Sequence, residues 1–137
     1  MNEDFELQEV LSFKVKDSDL SFLNGMVNKA DFGIGITLFV KGCVITGSLI
    51  SGRKYYRIVS DNLKSSGVVG ESLSAYFEVK GRDGYTSPDP DFEYPNNFLH
   101  LENIKIRGGS GVIGSLSDAM LRVKIEEIDG HFIGNIS

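Results

Sequence analysis

A nucleophile in this chain would be Cys43 or a serine, and it would need a histidine beside it as base. Cys43 opens the apolar run CVITGSLI, where a thiol is expected to pack as a small, inert hydrophobe. His100 stands between Leu99 and Leu101 in FLHLEN, which predicts a strand histidine that faces solvent or is hydrogen-bonded. His131 follows the turn signal Asp129-Gly130 and is expected to be exposed. One cysteine and two distant histidines do not give the clustered spacing of a metal site. Asp83, Asp89, Asp91 and Glu93 look superficially like a calcium loop, but prolines interrupt them and the twelfth-position glutamate is missing. They read as a solvated acidic loop. RGGSGVIG at 107–114 lacks the Gly-Lys-Ser/Thr of a phosphate loop and fits no dinucleotide fingerprint. Glu126 and Glu127 fall on opposite faces of a strand, a poor arrangement for joint acid–base work. The reading is a non-enzyme with no catalytic residues, cofactor or metal.

Chemistry of a different kind gathers at GRKYYRIVSDNLKSS, residues 52–66. Arg53, Lys54 and Arg57 beside Tyr55 and Tyr56 combine charges and rings as single-strand nucleic-acid binders do. The same spacing on a helix also describes tyrosines packed inward with charges outward. A formal net charge of −5 repels phosphate backbones, so nucleic acid is the disfavoured partner. Arg53, Tyr55 and Arg57, with Tyr85, Phe92 and Tyr94 of the next loop, form the candidate interaction surface.

The elements that must carry these residues follow from periodicity. Residues 1–16 are ambiguous between a helical stripe (Phe5, Leu7, Val10, Leu11) and a short strand (Phe13, Val15), and are read as a frayed start. Asp17 or Ser18 caps a helix whose stripe is Leu20, Leu23, Met26, Val27 and Ala30, with Gly25 weakening it. GIGITLFVKGCVITGSLIS, 33–51, is a hairpin turned at Lys41-Gly42, with a bulge expected at Gly47. Two short helices follow. The first carries Tyr55, Ile58 or Val59, and Leu63 on one face, the second Val69, Leu73, Tyr76, Phe77 and Lys80. Pro88, Pro90 and Pro95 mark 81–97 as a long loop. FLHLENIKIR, 98–107, switches parity near Glu102-Asn103, predicting a second bulge. A Gly/Ser-rich turn at 108–117, a strand through Leu121, Val123 and Ile125, a hairpin turn at Asp129-Gly130 and a last strand complete the chain.

A chain of 137 residues suits a single domain and can build a core without disulfides. A lone cysteine, an acidic start without an apolar h-region, and no run of about 20 apolar residues suggest a cytoplasmic protein with no membrane contact. The fold expected is α+β, a strongly bent antiparallel sheet or small SH3-like or Sm-like barrel. It would carry a leading helix and one or two inserted helices.

GITLFVKGCVITGSLIS followed by FLHLENIKIRG is loosely similar to the two segments of Sm proteins. The acidic RNA-contacting residues and basic surface of that family are not evident. An Sm-like nucleic-acid-binding module is the alternative reading. A closer resemblance is to the gas vesicle accessory protein GvpU family. It is carried by Asn28-Lys29, Phe32, Ile36, Leu38, Val40, Gly42, Val44, Ile45, Gly47, Ile50 and Ser51, then Tyr55-Tyr56. It continues through Leu99 to Asn103, Lys105-Ile106 and the end from Lys124 to Ser137. That resemblance implies a cytoplasmic, non-enzymatic accessory protein of gas vesicles. Its partners would be gas vesicle proteins or itself, as a homo-oligomer, met through sheet edges and the 81–97 loop. The family often extends in a polar tail past this hairpin, and its loop is less rich in proline.

Overall fold

The structure is a computed structural model and describes residues 16–109 and 111–135. The expected frayed start and short strand before Lys16 lie outside the described residues. Helix α1, Ser18–Ala30, begins where the Asp17 carboxylate accepts the backbone N–H groups of Asp19 (2.8 Å) and Leu20 (3.0 Å). It ends at Asp31, left-handed at φ 54°, whose N–H returns to the Val27 carbonyl. Leu20 and Val27 are buried as expected, but Met26 and Ala30 are exposed. Asn24 and Asn28 complete the buried stripe instead. Burial of an amide is tolerable when it is hydrogen-bonded. Asn24 Nδ2 donates to Asn96 Oδ1, and Asn28 Oδ1 accepts the Gly52 N–H at 2.8 Å.

β1 (Ile34–Val40) and β2 (Cys43–Ile50) form the expected hairpin, with Lys41 and Gly42 at φ 51° and 81°. β3 (Phe98–Gly108) pairs with β2 and shifts register between Thr46 and Ser48, so the bulge falls at Gly47. A Cβ there would come within 2.9 Å of the Glu102 carbonyl. β4 (Gly111–Lys124) pairs with β3, with a second shift between Glu102 and Ile104. The expected turn at 108–117 is thus mostly strand.

The sheet is antiparallel, in the order β4-β3-β2-β1-β5, where β5 is Gly130–Ile133. It is open. β4 and β5 are its two ends, so the expected barrel is not formed. The expected hairpin at Asp129-Gly130 is not formed either. After β4 a 3-10 turn, Ile125–Glu127, buries Ile125, and the chain crosses to pair β5 with β1. Asp129 is held there by other bonds: its carboxylate accepts the Lys41 N–H at 2.9 Å, and its own N–H donates to the Phe39 carbonyl.

One sheet face is aliphatic. Ile36, Leu38, Ile45, Leu49, Leu99, Leu101, Ile104 and Val123 pack there with Leu20 and Val27 of α1. Because side chains alternate, the neighbouring residues Ile50 and His100 face the other way. Helices α2 (Gly52–Lys64) and α3 (Gly67–Tyr85) lie on that side, α2 capped by the Ser51 hydroxyl. α3 runs to Tyr85, so the loop expected at 81–97 spans only 86–97.

Small residues make the α2–α3 contact. Ser60 and Ser74 are buried with their hydroxyls 2.9 Å apart, and the Ser74 hydroxyl also donates to the Ser60 carbonyl. A Cβ on Gly81 would sit 2.7 Å from the Tyr56 Cβ, and one on Gly70 would meet the Leu63 carbonyl. Gly81→Ala should therefore lose about 1 kcal/mol or more to overpacking. Gly25→Ala, with nothing within 4 Å of the new methyl, should gain about 0.5–1 kcal/mol of helix stability. Urea midpoints of the two variants check this. Shifts of the same sign would contradict the interface.

Candidate functional site

His100 is the first candidate for chemistry, and the structure seals it. It is 0% exposed, and neither ring nitrogen has a hydrogen-bond partner among the described residues. Neither expectation, solvent-facing or hydrogen-bonded, holds. Its neighbours are the rings of Tyr55 (4.6 Å between centroids), Tyr85 (5.4 Å) and Tyr56 (5.8 Å). Burial, and then the Arg122 guanidinium, push its pKa down to about 3. Burial likewise raises the pKa of Tyr55 and Tyr85, so both stay neutral phenols at ordinary pH. Glu102, two residues along the strand, is held by Lys54 at 2.7 Å. This is a neutral imidazole in an aromatic box, poorly matched to proton transfer near pH 7.

Other candidates scatter. Cys43 is free and partly buried at the start of β2. Asp83 lies in α3 beside Arg82, while Asp89 accepts the Asp91 N–H within a turn of the 86–97 loop. One trio among the described residues, Asp17, Asp19 and His131, brings its ligand atoms within 4.8 Å of one another. The sequence hides it because His131 lies on β5, far along the chain. Asp17 already caps α1 with one oxygen, and His131 Nδ1 stands 3.9 Å from the other.

The six residues of the candidate surface fall into two groups. Arg53 pairs with Asp31 at 3.3 Å and donates to the Tyr85 carbonyl. The Ser51 hydroxyl, at 2.6 Å, holds the Asp31 carboxyl below its usual range, with Arg53 contributing. Tyr55 is half-buried against His100, and Tyr85 is buried. Arg57 is exposed beside a groove of about 260 Å³ between α2 and α3, lined also by Arg53, Lys64, Arg82, Asp61 and Glu78. Phe92 and Tyr94 meet edge to face, 5.0 Å apart, where the loop approaches Gly25 and Lys29 of α1. Tyr55 and Tyr56 turn inward, so they do not present the ring faces that base stacking needs.

The residues that stand out instead lie on the second inserted helix, whose expected helical stripe is Val69, Leu73, Tyr76, Phe77 and Lys80. With Gly70, Ser74 and Gly81 facing α2, the large side chains of α3 point to solvent: Val68 is 80% exposed, Val69 72%, Tyr76 57% and Leu73 46%. Val79 continues the stripe, and Phe77 links it inward by stacking on Tyr56. The sequence signal was present as 3–4 spacing, but it marked the outer face. At the far edge of the sheet, Phe39 and Phe132 pack 6.0 Å apart with Ile133 exposed.

An open five-stranded antiparallel sheet, with one helix on its aliphatic face and a helical hairpin on its aromatic face, defines an α+β protein. The chain belongs to the GvpU-like family: the family model described as "Gas vesicle protein GvpU-like" matches residues 17–136. No curated protein and no solved structure matches it.

The His100 box makes a pH prediction. Above pH 6.5 the imidazole is neutral in folded and unfolded chains alike, and its contribution is fully present. Below 6.5 the unfolded chain takes up a proton that the folded state refuses down to about pH 3, so stability falls. Between pH 7.5 and 5.0 the loss should be about 2 kcal/mol. Urea unfolding of the wild type and of His100→Leu at the two pH values checks this. The variant should be much flatter, and parallel behaviour would contradict the sealed box.

Proposed function

We propose that this chain is a non-enzymatic, cytoplasmic gas vesicle accessory protein that acts by protein association. It docks on a gas vesicle protein through the outer face of α3. Membership of the GvpU-like family supports a role connected with gas vesicles. The observation that supports docking is the stripe Val68, Val69, Leu73, Tyr76 and Val79, exposed along one helix. A contiguous apolar face of this kind is where a partner gains most from excluding water. Arg57 and Lys64 in the neighbouring groove suit carboxylates at the partner's margin. No helix among the described residues is long and apolar enough to cross a membrane.

Co-flotation with purified gas vesicles tests the reading. Wild-type protein should float with the vesicles. The exposed double variant Leu73→Asp/Tyr76→Asp should keep its circular dichroism and lose about tenfold or more in binding, since about 1.4 kcal/mol of lost contact suffices. Equal recovery of both proteins, or no recovery at any salt concentration, would end it.

A further inference from the structure

His131 reaches α1 because the chain crosses over after β4 and lays β5 along β1. In register it stands opposite Leu38, on the aliphatic face that α1 covers. Its side chain is only 17% exposed, and Nδ1 stands 3.9 Å from Asp17 Oδ2, too far for a hydrogen bond. Asp19, exposed in the first turn of α1, completes the group. One donor atom from each of the three residues lies within 4.8 Å of the other two.

Orientation, spacing and charge fit these donors to a divalent cation. Asp17 Oδ1 accepts the N–H groups of Asp19 and Leu20, which fixes the carboxylate and turns Oδ2 towards His131. Carboxylates that bind metals are commonly held by such outer hydrogen bonds. Bonds of about 2.0–2.2 Å to one ion place two donors roughly 3.3–4.2 Å apart. The Asp17–His131 pair already stands at 3.9 Å, and the exposed Asp19 side chain can turn to shorten the remaining distances. Lys16 is engaged elsewhere, donating to the Asn96 carbonyl and to Asn97 Oδ1. Among the described residues no Lys or Arg pairs with Asp17 or Asp19, so two carboxylates face a single imidazole. Protonating the imidazole leaves one carboxylate uncompensated. A divalent ion beside a neutral imidazole compensates both.

We propose that Asp17, Asp19 and His131 bind one divalent transition cation of the zinc type. An imidazole with two carboxylates suits such ions better than Mg²⁺ or Ca²⁺, which take oxygen ligands. Water fills the remaining coordination positions. The bound ion clips β5, a four-residue edge strand that pairs with β1 alone, to the first turn of α1. The site lies on the α1 side of the sheet and does not rest on the docking reading of α3.

Calorimetric titration of the untagged full-length chain with Zn²⁺, and mapping with paramagnetic Co²⁺ by NMR, test the site. One Zn²⁺ should bind per chain, and Cys43→Ser, which removes the competing thiol, should bind it equally well. Asp17→Asn retains a good N-cap residue, and His131→Gln changes a side chain near the sheet edge, so both should fold. Each should weaken Zn²⁺ binding about tenfold or more, which corresponds to about 1.4 kcal/mol. Ca²⁺ should bind the wild type at least about tenfold more weakly than Zn²⁺. Co²⁺ should shift or broaden the amides of 17–20 and of 130–132 together, and excess Zn²⁺ should reverse this. Co²⁺ effects confined to one of those segments, or centred on Cys43, overturn the proposal. So does Zn²⁺ affinity that is unchanged in His131→Gln. Absence of Zn²⁺ binding would leave only an imidazole–carboxylate contact and overturn it as well.

Discussion

The close approach of α2 and α3 decides how the rest of this molecule faces water. Two serines and two glycines line the contact, and a hydroxyl pair 2.9 Å apart locks it. Helices meeting through such small side chains leave no room for a valine or leucine between them. The bulky residues of α3 are forced outward as a consequence. Tyr56 caps the arrangement from below, under Gly81, and passes it on to the sheet through Tyr85 and His100.

The sheet separates two kinds of interior. On one side aliphatic residues of the strands and α1 form an ordinary hydrophobic core. On the other, three tyrosines and a histidine fill the space between strands and helices. A buried imidazole without hydrogen bonds is a destabilising element, since each unsatisfied polar atom loses its water. Here the rings shield it and Arg122 disfavours its charged form. The residue that most invited a catalytic reading is thus part of the joint between sheet and helices.

Much of the fold was legible locally. Lys41-Gly42 announces its turn, Gly47 its bulge, and the parity switch at Glu102-Asn103 the second one. What was not legible depends on partners far along the chain. Asp129 bonds to Lys41, which carries β5 to the opposite edge of the sheet and leaves no hairpin with β4. Asn24 and Asn28 are buried because Asn96 and Gly52 meet them. α3 is instructive in another way. Its apolar period was read correctly, but periodicity cannot tell which face is covered when the opposite one is made of glycine and serine. Of the candidate surface, Arg57 is exposed, whereas Tyr85 is buried.

In this chain the sheet holds α2, α2 holds α3, and α3 turns its large residues outward. The orientation of α3 about its own axis is therefore the premise of the functional account. Two cysteine pairs in a Cys43→Ser background measure it. Ser60→Cys/Ser74→Cys should form a disulfide readily under mild oxidation, while Ser60→Cys/Leu73→Cys should remain reduced. The reverse pattern, with 60–73 cross-linked and 60–74 not, would turn the apolar stripe inward and contradict the account.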